Sequence, residues 1–370
     1  MFEILFWASA LIMAYSFAGY PVLIGMLSSI RPRPVKKGSF TPPVTVIVIA
    51  KDEEKNIGAK IENLLGMDYP PRKMKIIVAS DASVDRTEDI VRSFSERGVA
   101  LFRADESKGK PAILNMLIPE IDDEFVVLSD ARQKWNKESL RMMMSNFTDP
   151  DVGAVSGELV IENEDEGTFT EGVAFYWRYE KYLRKCEAAY DSTCGTTGAI
   201  YAIRRELFGK IPEDTLLDDF VIPMNVVKRG KRVVFEESAV AFDHPADSSR
   251  HEMWRKIRTL SGNYQAYVRF PWLFLPWKNR VVFQFVSHKA LRLAVPFLML
   301  ALFFANACLL DRDIYAVFFG MQVVFYLLAL LSVRLKTRLL SPIKAFVFLN
   351  VIAFIALPVY LSGRQKVTWK

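Results

Sequence analysis

Four acidic positions punctuate the 370-residue sequence, each behind an apolar run or beside a turn: Asp52/Glu53, Asp81/Asp85, Asp130 and Asp218/Asp219. A carboxylate that ends a buried strand emerges at the edge of the sheet. Asp130, closing FVVLSD, is of this kind, and a carboxylate there can hold a divalent cation against a diphosphate. Asp218-Asp219 opens a helical pattern through Phe220, Met224 and Val227, where an ionised carboxylate near a hydroxyl can serve as general base. Upstream, Lys108-Gly109-Lys110 begins another helix, whose ammonium and main-chain N–H groups favour phosphate oxygens. Each feature also has a plainer reading. Asp85 before Thr87 and Asp218 read as helix caps, Asp52, Glu53 and Asp219 as residues favoured by the helix dipole, and the Lys-Gly-Lys stretch as a solvated turn. Four such sites in one sheet nevertheless point to a polar crevice.

The elements that must carry these residues are legible upstream of Asp130. VTVIVIA (Val44–Ala50) reads as a buried parallel strand, and KIIVAS (Lys75–Ser80), VALF (Val99–Phe102) and FVVLSD (Phe125–Asp130) as further strands. Helical faces lie between them: Ile57, Ile61, Leu64 and Leu65, then Ile90 and Phe94, then Ile113 and Leu117. This alternation predicts a parallel, right-handed α/β sheet with ligands beyond the carboxyl ends of its strands. Neither G-x-G-x-x-G nor a phosphate-binding G-x-x-x-x-G-K-[ST] occurs, which argues against a dinucleotide or P-loop site. Cys186, Cys194 and Cys308 form no metal-spaced pair, which suits a reducing compartment, and His244, His251 and His288 read as structural.

Hydrophobic residues make up 51% of the chain, close to the ordinary share, so their distribution rather than their number carries the membrane signal. Residues 2–27, Leu293–Leu310, Ile314–Val333 and Ile343–Leu361 are apolar runs of membrane-spanning length. The first lacks a basic start and is too long for a cleaved signal, so it reads as a retained anchor. The basic RPRPVKK after it and RLKTR after the third run belong on the cytoplasmic side, which places the middle domain there. Arg364, Lys366 and Lys370 then fall outside, so either the last segment is re-entrant or the tail tolerates the bias. The formal charge of +6 sits largely in these juxtamembrane clusters, which suit anionic lipid; no basic helix or aromatic platform speaks for nucleic acid. The expected organisation is an anchor at 1–30, a soluble domain at 40–248, interfacial helices at 249–284 and about three spans at 285–370. Met253, Trp254, Ile257, Leu260 and Tyr264 form the apolar stripe expected of the interfacial part, with Trp272 and Trp277 in the same belt.

Six stretches in order, AKDEEKNI, ASDASVDRT, KGKPAILN, LSDAR, TTGAIYAIRREL and LLDDFVIPMNVVKRG, resemble the motifs of inverting GT-A glycosyltransferases of family two. They cover about Val44–Asn263, and the flanking spans resemble the membrane branch that includes cellulose, hyaluronan and poly-N-acetylglucosamine synthases. The resemblance implies a GT-A domain flanked by transmembrane helices, a UDP-sugar donor, and a plasma-membrane protein whose catalytic domain is cytoplasmic. It implies that Asp81 contacts the uracil base with Glu53 nearby, and that Lys110 lies beside the diphosphate. Asp130 would be the first carboxylate of the D-x-D metal motif, holding Mg²⁺ or Mn²⁺, and Asp219 the base of the T-E-D motif.

Three positions depart from that pattern. Arg132 stands where D-x-D has its second carboxylate and is expected to offset diphosphate charge instead. T-E-D becomes Leu217-Asp218-Asp219, which keeps the base. The Q-x-x-R-W of processive synthases becomes Arg255-Lys256-Ile257-Arg258-Thr259: the cationic role stays with Arg258 and Arg255, but Thr259 offers no face for stacking an acceptor sugar. The expected function is inverting transfer to a lipid-linked or growing glycan acceptor, for cell-surface or extracellular polysaccharide. A processive synthase coupled to export, and a non-catalytic scaffold that retains the fold, are the alternatives.

Overall fold

The computed structural model describes residues 1–162, 168–244, 249–335, 340–363 and 365. Its centre is an eight-stranded sheet in the order β3-β2-β1-β4-β7-β6-β8-β5. The strands are β1 (Val44–Ala50), β2 (Met74–Ser80), β3 (Val99–Arg103), β4 (Phe125–Asp130), β5 (Lys134–Trp135), β6 (Val152–Ile161), β7 (Tyr201–Arg204) and β8 (Arg232–Asp243). All seven residues of β1 are buried, because both faces of the sheet are covered. Val44, Val46 and Val48 enter one core with the helix Ile57–Leu65, and Ile47 and Ile49 enter another with the helices Lys110–Leu117 and Asp218–Lys228. That double burial is why β1 reads as a continuous apolar run.

The expectation of a parallel sheet holds for β3-β2-β1-β4 and for the β6–β8 pair, and fails at β7 and β5. β7 runs antiparallel to both β4 and β6, and β5 antiparallel to β8. The reversal has a consequence for the site: the start of β7 lies beside the end of β4, with Leu128 opposite Tyr201.

Among the described residues four helices are long and apolar enough to cross a membrane: Phe2–Ile30, Val282–Ala307, Asp313–Ser332 and Ser341–Leu361. The second begins well before Leu293, where the apolar run starts. Its first turns carry polar residues that face the sheet domain instead of lipid. His288 bonds Glu187 (2.7 Å) and Glu180 (3.1 Å), and Arg292 pairs with Glu180; both glutamates stand on the helix Thr168–Tyr190. Tyr20 from the first apolar helix donates to the same Glu187 at 2.6 Å. Burying these ionic groups is tolerable because each is paired. The same pairs fasten the sheet domain to two apolar helices.

The stripe on the helix Ser249–Arg269 is expected at a bilayer surface. Ile257, only 2% exposed, instead packs with Met253, Leu260 and Tyr264 against Ile352, Ala356 and Val359 of the last apolar helix. Ser261 and Tyr264 donate to carbonyls of that helix, of Ala356 and Ala353 respectively. Trp254 and Trp277 are exposed, while Trp272 lies under Lys228. The last apolar segment is a continuous helix, Ser341–Leu361. Residues 336–339 of the basic loop, Arg364, Lys366, Lys370 and the His251 side chain lie outside the described residues.

Candidate active site

The turn before β7 stands over the carboxyl end of β4. Within it Gly195 has φ +107°, a backbone that L side chains adopt only with strain. Thr196 donates both its N–H (2.9 Å) and its hydroxyl (3.0 Å) to the carbonyl of Asp219, tying the turn to the first turn of the helix Asp218–Lys228. Gly198 lies among the charged groups themselves. A Cβ there would lie 3.5 Å from Asp219 Oδ2, 3.6 Å from Asp130 Oδ2 and 3.7 Å from Lys110 Nζ. Groups scattered over the sequence thus surround one backbone position, each at van der Waals distance from where a Cβ would stand.

Lys110 is the hub. Its ammonium donates to Asp130 Oδ1 at 2.9 Å and pairs with Asp218 Oδ2 at 3.2 Å. Burial works against its charge, but the carboxylates of Asp130 and Asp218 prevail and hold its pKa above the usual lysine value. Asp219, half-buried, is pushed up to about 6, first by burial and then by the charge of Asp218, with Lys110 pulling the other way. A carboxylate with that pKa is ionised at neutral pH yet binds a proton more readily than an ordinary one, as a general base needs. Beneath the cluster lies Tyr201, fully buried, its own pKa raised by burial and then by the charges of Asp218, Asp219 and Asp130.

Asp218 is not a cap: Leu217 occupies that position, and Asp218 sits in the first turn facing Lys110. Asp85 is not the cap either: Arg86 holds that position before the helix Thr87–Arg92, and Asp85, one residue earlier, accepts the Thr87 N–H at 2.9 Å. Asp52 accepts the Val84 N–H, and Asp85 the Glu54 N–H, so these residues lace the loops after β1 and β2 together. Glu53, in the same loop, receives Asn56 at 2.6 Å.

Asp81 is fully buried. Its carboxylate accepts the Ser107 hydroxyl (2.8 Å), the Lys108 N–H (2.7 Å) and the Gly109 N–H (3.1 Å). The main-chain N–H groups expected to greet a phosphate at Lys108-Gly109 are therefore already taken, because a buried carboxylate needs them more than solvent does. Asp81 braces the loop that delivers Lys110.

Arg132 is turned away from the cluster toward Asp243, the last residue of β8, at 2.8 Å, where Gln133 also donates at 3.1 Å. Asp243 is 1% exposed and went unread in the sequence; its signal there was an acidic residue closing the apolar run AVAF. Arg255 is exposed and pairs with Glu252 (3.7 Å), which also feels Arg132; Arg258 is half-buried on the same helix. Among the described residues no group of three His, Cys, Asp or Glu side chains could hold a metal by itself. The donor set fits a cation only as a site completed by substrate: Asp130 Oδ2, the oxygen that Lys110 does not take, would join diphosphate oxygens, as magnesium sites commonly do.

Behind Asp219 lies a cavity of about 160 Å³ whose walls include Glu187 and, from the start of the apolar helix Val282–Ala307, His288 and Lys289. Arg184, Thr196, Thr259, Asn263 and Lys289 line it together with Asp219. Thr259 faces it as expected from its place beside Arg258, whereas Arg184 and Lys289 carried no motif signal. The helix Ser249–Arg269 reaches this close through Gly262, where a Cβ would meet Leu217 Cγ at 2.6 Å.

The family model for Glycosyl transferase family 2 matches residues 45–211, the stretch from β1 past β7. These residues form a family 2 glycosyltransferase domain. A solved mannosyltransferase from Pyrobaculum calidifontis, in complex with GDP-Man and Mn²⁺, shares its fold. That structure covers 99% of this chain and 100% of its own at TM-score 0.74 and 23% identity, which establishes the GT-A architecture with its flanking helices. A probable glycosyltransferase of Bacillus subtilis is 25% identical over 65% of this chain and 60% of its own length. A beta-monoglucosyldiacylglycerol synthase of Synechocystis is 24% identical over 70% of this chain and 57% of its own. The family 2 domain and its neighbouring segments thus span less than two thirds of the length of these relatives.

Proposed function

We propose that this chain transfers a sugar from a UDP-sugar, with inversion, to a lipid-linked or growing glycan acceptor at the cytoplasmic face of the membrane. The observation that carries the reading is the meeting of Asp219, Asp130 and Lys110 around Gly198. Lys110 offsets the charge of the donor's diphosphate, and Asp130 positions it. A divalent cation between Asp130 and the diphosphate would add Lewis-acid stabilisation of the leaving group. Asp219 takes the proton of the acceptor hydroxyl, whose oxygen attacks the anomeric carbon opposite the departing diphosphate. Asp218 keeps Lys110 in place and raises the basicity of its neighbour.

The cavity behind Asp219 supports an acceptor that arrives from the side of the apolar helices, and the glycolipid synthase among the relatives supports a lipid acceptor. Thr259, which lines that cavity without an aromatic face, supports one or a few additions over a long processive chain. The test is Asp219→Asn in membranes supplied with candidate UDP-sugars. Transfer should fall by about 10²–10⁴-fold, with nucleotide binding retained. Full turnover in that variant would remove Asp219 as the base.

A further inference from the structure

Two cations in the cavity behind Asp219 share its walls with the carboxylates of Asp219 and Glu187, yet neither is fixed to one of them. Arg184, on the helix Thr168–Tyr190, and Lys289, at the start of the apolar helix Val282–Ala307, both line it and both are half-buried. Among the described residues neither donates a hydrogen bond nor closes an ion pair. The carboxylates around them bond elsewhere: Glu187 through Oε1 with His288 and Tyr20, its Oε2 left without a hydrogen-bond partner, Glu180 with His288 and Arg292, Asp218 with Lys110. Asp219 feels Arg184 only at a distance, as Glu187 feels Lys289. Two half-buried cations on the walls of one cavity, neither fixed to a carboxylate, are free to close charge-assisted hydrogen bonds to an anion brought by a ligand.

We propose that the acceptor is a membrane lipid bearing a phosphate next to a free hydroxyl, the phosphate held between Arg184 and Lys289 and the hydroxyl turned to Asp219. Size and place both favour a lipid. At about 160 Å³ the cavity admits a headgroup and little more, well below the ~300–1,000 Å³ of ordinary ligand pockets, so the rest of the acceptor must lie outside it. One wall is the first turns of a helix apolar enough to span a bilayer, along which acyl or prenyl chains can run. Thr259 and Asn263 add hydrogen-bonding side chains on the wall formed by the helix Ser249–Arg269.

The chemistry rests on the transfer reaction proposed above. The hydroxyl beside the phosphate gives its proton to Asp219, and its oxygen forms the new bond to the anomeric carbon. The bond from that carbon to the diphosphate oxygen breaks, and the diphosphate leaves with the electron pair. The lipid's phosphate takes no part in bond making; it fixes which hydroxyl faces the base.

Lipid retention by the full chain in a phosphate-free maltoside detergent, read by native mass spectrometry, tests this without any turnover. The probes are phosphatidylglycerol, with phosphate and hydroxyls, and diacylglycerol, with a hydroxyl alone. The expected result is at least tenfold stronger retention of phosphatidylglycerol, lost in Arg184→Gln/Lys289→Gln and kept in the charge-preserving Arg184→Lys/Lys289→Arg. Arg31→Gln, a juxtamembrane change far from the cavity in sequence and exposed, should leave the preference intact. Equal retention of the two lipids, an unchanged preference in the double glutamine variant, or the same loss in Arg31→Gln overturns the proposal. Soluble glycerol 3-phosphate that displaces the lipid at equal concentration overturns the membrane source. Because retention needs no catalysis, a negative result here leaves the Asp219→Asn test of transfer standing, and the reverse holds as well.

Discussion

Lys110 lies 3.2 Å from Asp218, and the same ammonium donates to Asp130 at 2.9 Å, so one side chain joins the end of β4 to the first turn of the helix that carries Asp219. Donor-side and acceptor-side carboxylates are therefore not independent. Lys110→Met should remove the cation that faces the diphosphate and lower transfer by about 10²-fold or more, the scale of losing one preorganised charge partner. It should also raise the pKa of Asp219 above about 6, because Lys110 is the cation that pulls that value down. The stability cost should be about 1–3 kcal/mol, less than for a fully buried pair because Asp130 is a third exposed and solvent screens it. Steady-state rates across pH, with a denaturation curve on the same variant, read all three effects.

The raised pKa of Asp219 makes two pH predictions with opposite consequences. As a base it must be ionised, so kcat/KM should rise about tenfold per pH unit below about 6 and level off above it. For stability the sign is reversed. Between the ordinary aspartate value of 3.8 and about 6 the folded chain holds a proton that the unfolded chain has released, so stability falls as pH rises through that window and stays lower above it. Asp219→Asn cannot ionise and escapes this cost. It should therefore have a higher Tm than the parent chain at pH 7.5, with the difference shrinking toward pH 4. A variant less stable than the parent at pH 7.5 would contradict the burial and like-charge argument.

Gly262 tests whether the helix Ser249–Arg269 sets the position of the base. A Cβ at 262 would stand 2.6 Å from Leu217 Cγ and 3.0 Å from Leu216 Cβ, closer than real side chains come. Gly262→Ala must move either the helix or the Leu216–Leu217 segment that leads directly into Asp218. Overpacking of this kind costs about 1–3 kcal/mol. Transfer should drop about tenfold or more, with a smaller loss of nucleotide affinity, since Lys110 hangs from another element and reaches the displaced segment only through its pair with Asp218. A variant with unaltered acceptor kinetics would show that the helix does not govern the base.

How much of this was legible in the sequence depended on whether a residue advertises itself locally. β1 and β4 run over the residues that their apolar runs delimit, since strands buried on both faces leave an unbroken apolar signature, whereas β3 at the sheet edge and β2 beside it are partly exposed and differ by one residue at an end. The antiparallel turn of the second half was invisible: β7 spans only Tyr201–Arg204, and nothing in four residues states a direction. Asp130, Lys110 and Asp219 could be picked out because each sits at an element boundary, where a charged residue is conspicuous. Asp81 stood out for the same reason, yet its carboxylate is spent on the Ser107–Gly109 loop, a tertiary contact that no local pattern encodes. Arg184 and Lys289 escaped notice altogether. Each lies in a charged stretch of helix, YLRKCE or SHKALR, and becomes distinctive only because its neighbours' carboxylates find other partners.

Arg132 and Asp243 decide whether the missing D-x-D carboxylate can simply be put back. Arg132→Asp would restore the acidic spacing after Asp130, and on sequence grounds alone it should strengthen cation binding. The structure predicts the opposite. Arg132 is the cation that Asp243 faces at 2.8 Å, and Asp243 is 1% exposed, so a new carboxylate would meet a buried one with only Gln133 and the His244 N–H left to satisfy it. Like charges in that position repel, and one of the pair must take up a proton or the chain end of β8 must shift. Arg132→Asp should lose stability and gain no affinity for Mg²⁺ or Mn²⁺. Arg132→Asp/Asp243→Asn, which removes the repulsion, should recover most of the stability. Thermal unfolding of the three chains, with and without each cation, reads the outcome. Tighter cation binding in the single variant would show that Arg132 occupies a metal position after all.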